Sequence, residues 1–510
     1  MNHIERIESI FDSLCSLFYL GSRDHQWMVE RCIEIASKRF TDIYRYNISE
    51  GLWEAGKKQT KKAPVDPLEM LDRILATEHK VKYFERSLFI LEHFDLVLEN
   101  QDPYLLTKLK LITEWRCHHS AVVIMGRPYL ELPEIISDIP KLNVAHIDEN
   151  DLKEMLSACD PHIPEDEIRD LTDALKGLSI LECQNLISLS LAKLKRLDKD
   201  FITNQRTSVL CERANGLIEL CEADIDLNSV GGLETLKTWL LKRGRFFKGR
   251  SPQTESRVPC PKGVILTGPP GCGKSALASA LAGSWQVKLV KLNHACLFSS
   301  LVGQTERNLT IALETVKALS PCILWIDEFE KFFPQIGDST LDGGVLSRSL
   351  GLLLQFLQST RDGVFVWATT NRLQSLPQEI MRAGRFDAIF FVDLPNRGER
   401  TSIFEILLGK YVPEVDLKGR ESLLDATEGF SGAEIEQAFI DSLYECAESE
   451  AELDEFTLLR TLKAFIPLSR TLKEDIDSLR KWCVSRARFA SCSEPFKDRE
   501  RREPCPMSQR

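Results

Sequence analysis

Few short stretches restrict a fold as tightly as Gly268-Pro-Pro-Gly-Cys-Gly-Lys-Ser275, which fits G-x-x-x-x-G-K-[ST]. The apolar run Val264–Thr267 before it reads as a strand, and Ala276–Ala282 after it as a helix. A loop in that setting joins a buried strand to a helix N-terminus, the repeating unit of parallel α/β sheets. Backbone N–H groups and the positive end of the helix dipole then converge on one spot. Gly268, Gly271 and Gly273 let the backbone approach phosphate oxygens without a Cβ in the way, and Pro269, Pro270 and Cys272 complete the loop. Lys274 is placed to reach the β- and γ-phosphates, and the Ser275 hydroxyl to hold Mg2+. The motif predicts a bound nucleoside triphosphate; the alternative is a Gly-Pro turn that happens to end in Lys-Ser.

The chain has 510 residues, too many for one core at ~150 residues per domain. Its net charge of −11 argues against general attraction to nucleic acid or anionic lipid. No apolar window approaches the ~18 residues of a membrane span. The opening pattern Ile4, Ile7, Ile10, Phe11, Leu14 with acids between is amphipathic, unlike a signal peptide. Fifteen scattered cysteines with no C-x-x-C pair predict free thiols in a reducing compartment. Cys272 reads as a small filler in the loop, with an oxidisable thiol as the alternative.

The first half has the outline of an α/β sheet without the chemistry. Leu17–Leu20 and Asp42–Tyr46 read as strands and Trp27–Arg39 as a helix, while Gly21-Ser-Arg-Asp-His25 stands where a phosphate loop belongs and lacks the Gly-Lys-Ser ending. Leu88–Leu91 and Ala121–Ile124 are continuous apolar runs, as in strands buried on both faces. Lys57–Lys62 reads as a solvated basic loop. Three segments recur in the second half in the same order: Phe89–Asp95 with Leu324–Glu330, Arg127–Pro133 with Asn371–Pro377, and Gly177–Glu182 with Gly429–Glu434. They suggest duplication of a unit of roughly 200 residues. His93, where the second half has an acid, reads as a structural histidine, so the first half is not expected to hydrolyse a nucleotide. Residues 151–212 read as helical, with a linker over 202–225.

In the second half, Cys322-Ile-Leu-Trp-Ile-Asp-Glu328 is a buried strand delivering two acids at its C-terminal end, where ligands of open α/β sheets bind. Asp327 suits Mg2+ through its water shell and Glu328 suits activation of a water; strand alternation would send the two acids opposite ways. Val364–Asn371 is another apolar strand with a polar end; Asn371 suits a hydrogen bond to a γ-phosphate or to the attacking water, or a plain turn. In Met381-Arg-Ala-Gly-Arg-Phe-Asp387, the guanidinium groups of Arg382 and Arg385 suit phosphate recognition, or simply solvent.

The order GPPGCGKS, ILWIDE, ATTN, RAGRFD resembles the AAA family of ATPases within the AAA+ group, over roughly residues 225–490. That likeness implies an α/β P-loop fold, a parallel sheet with a helical lid, preceded by a degenerate α/β domain of related fold. The expected division is a degenerate domain without phosphate loop over 1–150 and a helical subdomain over 151–212. An ATPase core over 225–408, a lid and C-terminal helix over 409–490, and a disordered tail over 491–510 follow. It also implies ATP and Mg2+ as cofactors, Asn371 as sensor of the γ-phosphate, and Gly432 and Ala433 beside the nucleotide. Arg382 and Arg385 become arginine fingers serving a neighbouring subunit of a homo-oligomeric ring. More narrowly, the phrases CILWIDEFEK, GRFDAIFFVDLPN and PLSRTLKEDIDSLRKW are similar to an AAA family of algal plastids and cyanobacteria, which implies a cytoplasmic or plastid-stromal protein.

The resemblance implies an ATP hydrolase that remodels a protein partner. Where unfoldases of the AAA family carry an aromatic, an apolar residue and Gly in the pore loop, this chain has Leu301-Val302-Gly303, and Leu offers a polypeptide less apolar area. Leu301 is a packed loop residue or a pore contact; Gly343-Gly344 and Arg348 are placed to line the same pore. Two rival functions stay open: an ATP-dependent assembly switch, and a nucleic-acid-associated ATPase, which the acidic balance disfavours.

Overall fold

The computed structural model describes residues 3–13, 15–55, 65–78, 87–114, 120–128, 130–144, 149–159, 163–223, 226–248, 258–298, 304–333, 345–359, 363–382, 384–414 and 421–491. Lys57–Lys62, Leu301-Val302-Gly303, Gly343-Gly344 and the tail from 492 lie outside the described residues. The chain divides into two units, Met1–Leu210 and Cys211–Arg510.

In the first unit the apolar runs form the strands expected of them: β1 (Leu17–Ser22), β2 (Asp42–Asn47), β3 (Gly51–Glu54), β4 (Ser87–Leu91), β5 (Ser120–Gly126) and β6 (Lys141–Val144). Their order is β3-β2-β4-β5-β1-β6. Every pairing is parallel except the β2–β3 hairpin. Because successive side chains point to opposite faces, each strand feeds two cores. Leu17, Tyr19, Phe89, Val122 and Ile124 pack on one face with the helices Pro67–Glu78 and Pro103–Thr113. Phe18, Leu20, Leu88, Ile90 and Val123 pack on the other against His25–Ala36. That helix was expected to run to Arg39.

The second unit has β7 (Ile218–Cys221), β8 (Gly263–Thr267), β9 (Lys288–Leu292), β10 (Cys322–Ile326), β11 (Val364–Thr370), β12 (Ala388–Phe391) and β13 (Arg488–Phe489), ordered β13-β12-β8-β11-β10-β9-β7. Setting the added edges β3, β7 and β13 aside, both sheets run second–third–fourth–first–fifth in chain order. Both reverse direction at their first strand, which opens a crevice at the strand C-termini. The three recurring segments fall at equivalent places. His93 and Glu328 both leave a buried strand with left-handed φ, 51° and 48°. Gly177 and Gly429 match at φ 84° and 81°. Two residues on, Ser179 with Glu182 and Ser431 with Glu434 form capping boxes opening the helices Ile180–Leu194 and Gly432–Glu448.

Three expected boundaries move. The stretch 202–225 is no linker: helix Lys199–Arg213 fills its start, and β7 pairs antiparallel with β9 in the second sheet. A strand this short, with only Ile218 buried, has too little alternation to be read in advance. The expected lid of 409–490 yields its end to the sheet, where β13 pairs with β12 and Phe489 meets Phe391 edge-on at 5.7 Å. At its start, helix Arg397–Tyr411 crosses the boundary, because the Asn396–Glu399 capping box begins it earlier. No described helix is long and apolar enough to cross a membrane.

Candidate nucleotide site

β8 is buried throughout, and the chain leaves it through the glycine loop into helix Lys274–Trp285. That helix is apolar on most sides (Leu277, Ala278, Leu281, Ala282 and Trp285 are buried), as a helix enclosed in a core must be. Beneath it Trp367, fully buried in β11, donates its indole N–H to the Lys274 carbonyl at 3.2 Å. Gly273, at φ 82°, occupies the helix N-cap position, and a side chain on Gly271 would meet Ser431 Oγ at 2.8 Å. The Lys274 ammonium is buried and donates to the Gly268 and Pro269 carbonyls, both at 2.7 Å. Burial holds its pKa below the usual lysine range. Burial likewise pushes the Cys272 thiol up to about 12, which fits a filler residue.

β10 ends at Ile326, so the two acids sit beyond the strand. Their divergence therefore comes from the left-handed backbone of Glu328 and not from strand alternation, a correction to the expected reason. Asp327 Oδ1 accepts from Thr369 Oγ1 at 2.5 Å, and Lys291 Nζ lies 3.9 Å from Oδ2 and 4.4 Å from the centre of the Trp325 ring. Glu328 Oε2 lies 2.5 Å from Lys331 Nζ. Glu330, unremarked in the sequence, accepts the backbone N–H of Asn371 at 3.2 Å and so ties the acidic turn to the end of β11.

The lid closes the other side. Ala433 N donates to the Gly271 carbonyl at 3.0 Å, and Glu434 accepts from Ser431 N and Leu468 N, each at 2.7 Å. Glu399 accepts from Leu233 N at 2.9 Å. That holds Val230, Gly231 and Leu233 near Ile403 and Leu407, so closely that a Cβ on Gly231 would sit 2.7 Å from Ile403 Cγ1. The result is one cavity of about 930 Å³. It brings together Pro270, Gly271, Cys272, Gly273, Lys274, Ser275, Asp327, Glu328, Asn371, Gly432 and Ala433. The apolar wall of Val230, Ile403 and Leu407 was missed, although Val230-Gly-Gly is visible in the sequence as a turn. Gly268 and Pro269 do not line the cavity; Gly268 packs so tightly that a Cβ would be 1.9 Å from the Val392 carbonyl.

Arg382 and Arg385 are absent from the lining of their own chain's cavity and differ from each other. Arg382 is exposed. Arg385 is only 9 % exposed and donates to the Glu379 carbonyl, so as it stands it does not reach outward, contrary to expectation. Asp387 accepts from Lys262 N and Gly263 N at 2.8 and 3.2 Å, fixing the loop to the start of β8. Arg348 pairs with Glu306 at 2.8 Å.

The equivalent place in the first unit is filled by its own side chains. Asp24 Oδ1 accepts from Ile180 N at 2.8 Å, at the start of the helix equivalent to Gly432–Glu448. His25 stacks on His93 with ring centres 3.7 Å apart, and Glu92 is paired with Arg45 at 2.5 Å.

The residues of the second-unit site fit the groups such a loop takes. A buried ammonium held by two loop carbonyls can turn to phosphate oxygens. Ser275 and Asp327 offer the hard oxygen donors Mg2+ prefers, leaving its other positions to phosphate and water. No group of three or more His, Cys, Asp or Glu among the described residues forms a self-sufficient metal site.

Comparison with known proteins agrees with this geometry. Residues 264–394 match the family described as ATPase family associated with various cellular activities (AAA). Residues 3–140 match the SpoVK-like AAA ATPase, N-terminal domain. The chain is 32 % identical over 495 residues to the AAA domain-containing protein ycf46 of Gracilaria tenuistipitata var. liui, covering 93 % of this chain and 96 % of that protein. For the protein of that name in Pyropia yezoensis the identity is 32 % over 510 residues, 96 % of this chain and 100 % of the relative. A narrower likeness, 32 % over 224 residues, is to the ATP-dependent zinc metalloprotease FtsH of Mycoplasma pneumoniae, spanning 43 % of this chain and 31 % of that one.

Proposed function

The chain belongs to the family of AAA domain-containing proteins that includes ycf46, and from that premise we propose that it is a Mg2+-dependent ATP hydrolase, completed between subunits of a homo-oligomer, that remodels a protein partner in the cytoplasm or a plastid stroma. The observation that carries this reading is the meeting of Lys274, Ser275, Asp327, Glu328 and Asn371 in one cavity at the C-terminal ends of the parallel strands of the second sheet. Lys274 exchanges its two loop carbonyls for the β- and γ-phosphates. Ser275 and Asp327 hold Mg2+, which when bound neutralises charge on those phosphates. Glu328 takes a proton from the attacking water, and Asn371, braced by Glu330, orients that water or the γ-phosphate. The apolar wall of Val230, Ile403 and Leu407 receives the base. Arg382 serves the site of a neighbouring copy, and Arg385 shapes the loop that presents it.

Lys274→Ala is expected to abolish ATP binding, while Glu328→Gln binds ATP and traps it. Equilibrium binding and single-turnover hydrolysis of ATP check both. Hydrolysis at the normal rate by the Glu328→Gln protein would overturn the assignment. A second reading, an assembly switch, is favoured by Leu301 in place of a gripping aromatic. Loss of partner-stimulated hydrolysis in Leu301→Glu supports remodelling. Nucleotide-dependent partner binding that ignores this substitution supports the switch.

A further inference from the structure

The turn after β10 differs from its counterpart after β4 in a paired way. Aligned through Phe94 and Phe329, both fully buried, the first copy reads Glu92-His93-Phe94-Asp95-Leu96 and the second Asp327-Glu328-Phe329-Glu330-Lys331. The acid after each phenylalanine makes the same brace: Asp95 accepts from Arg127 N at 3.3 Å, and Glu330 from Asn371 N at 3.2 Å. The left-handed backbone of His93 and Glu328 is also shared. These common features hold the fold, since they persist where the loop chemistry is gone. Two things change together. The acid is replaced by His93, and the lysine three residues on is replaced by Leu96, which is 56 % exposed. Lys331 is exposed as well, so packing does not explain why the lysine is absent where the acid is absent.

In the second copy Lys331 Nζ lies 2.5 Å from Glu328 Oε2. The turn is pinned by the Lys331 N–H to Glu328 carbonyl bond of 2.8 Å and by His294 Nε2, 3.0 Å from the Lys331 carbonyl. We infer that Lys331 is a positioning residue that restrains Glu328, holding its carboxylate in an ion pair so that hydrolysis stays slow until the bound nucleotide and its surroundings compete for that carboxylate. The inference rests on the reading of Glu328 as the group that activates water.

The test uses the full chain with Mg2+ and ATP. Lys331→Leu, the residue of the chain's own first copy, is expected to raise basal kcat ~3- to 5-fold, the range an exposed ion pair can supply, with KM for ATP unchanged. Wild-type kcat should climb toward that of Lys331→Leu as salt rises from about 0.05 to about 0.5 M, because an exposed pair is screened, whereas the variant should respond less. Lys331→Arg should restore the wild-type rate and its salt response. Equal kcat and equal salt response in wild type and Lys331→Leu, or a lower kcat in the variant, would overturn the restraint. Glu328→Gln alone and with Lys331→Leu separates the two readings. If both are inactive, the acid's role stands whatever Lys331 does. If Glu328→Gln hydrolyses ATP normally, the reading of the acid has failed first.

Discussion

Arg382 and Arg385 stand three residues apart in one motif, yet their surroundings assign them different work. Arg385 gives a half-buried hydrogen bond to the Glu379 carbonyl, and Asp387 anchors the same loop to β8, while Arg382 is exposed. Arg382→Ala should therefore lower ATP turnover ~10³-fold or more without moving the melting temperature. Arg385→Ala should lose about 1 kcal/mol of stability with the hydrogen bond it gives the Glu379 carbonyl, which keeps its bond from Arg382 N, seen as an earlier thermal transition before any effect on rate. Equal melting temperatures and equal rate losses would show that the two arginines are interchangeable. The glycine loop and the two acids after β10 are legible in the sequence because the phosphate and metal chemistry proposed for them demands those residue types at that spacing. Glu330 and Asp387 were not, since each is one acid among many. Their partners, Asn371 and Lys262, lie far away along the chain and only folding brings them together.

At the scale of elements, the long buried strands announce themselves, and the edge strands do not. β10 is an uninterrupted apolar run and β11 one as far as its closing Thr369-Thr370, both buried on both faces, whereas β3, β7 and β13 take their pairing from a neighbour and carry little pattern of their own. The helix starting at His25 shows what replaced the phosphate loop in the first unit. His25, packed against His93 and near Arg45, has its pKa lowered to about 4, chiefly by burial and then by those two neighbours. The unfolded chain takes up this proton near the ordinary value of 6.5, and the folded chain only near 4. The unfolded state thus binds more protons between these values, and the stabilisation is complete above pH 6.5 and lost as pH falls toward 4. At about 1.4 kcal/mol per pH unit the loss is ~3 kcal/mol, and about 1–2 kcal/mol once partial exposure is allowed for. His25→Phe, which keeps a ring on His93, should reduce the acid sensitivity of the first unit, followed by hydrogen exchange at neutral pH and at about pH 5. Unchanged acid sensitivity would show that the stacked pair does not control it.

The whole molecule carries the same five-strand order twice, and the comparison separates what builds such a sheet from what the proposed ATP hydrolysis adds to it. Both copies keep the capping box, the left-handed turn and the acid brace; only the second keeps the glycine loop, Lys274, Glu328 and the arginine loop. In that second copy Lys274 and Lys410 line the cavity, while Arg382 lies outside the described residues that line it. If Arg382 completes the site of another chain, as proposed, two inactive proteins should repair each other. Lys274→Ala cannot bind ATP but presents a normal Arg382. Arg382→Ala binds ATP but offers its neighbour nothing. Mixed under assembling conditions, an Arg382→Ala site seated beside the arginine of a Lys274→Ala chain is complete, so hydrolysis should reappear and follow the fraction of mixed contacts, peaking near equal amounts. Each protein alone should stay inactive at every concentration, and the wild type should show turnover per chain that rises with concentration as chains associate. Absence of recovery in mixtures shown by light scattering to contain both chains, together with wild-type turnover independent of concentration, would place the whole reaction within a single copy.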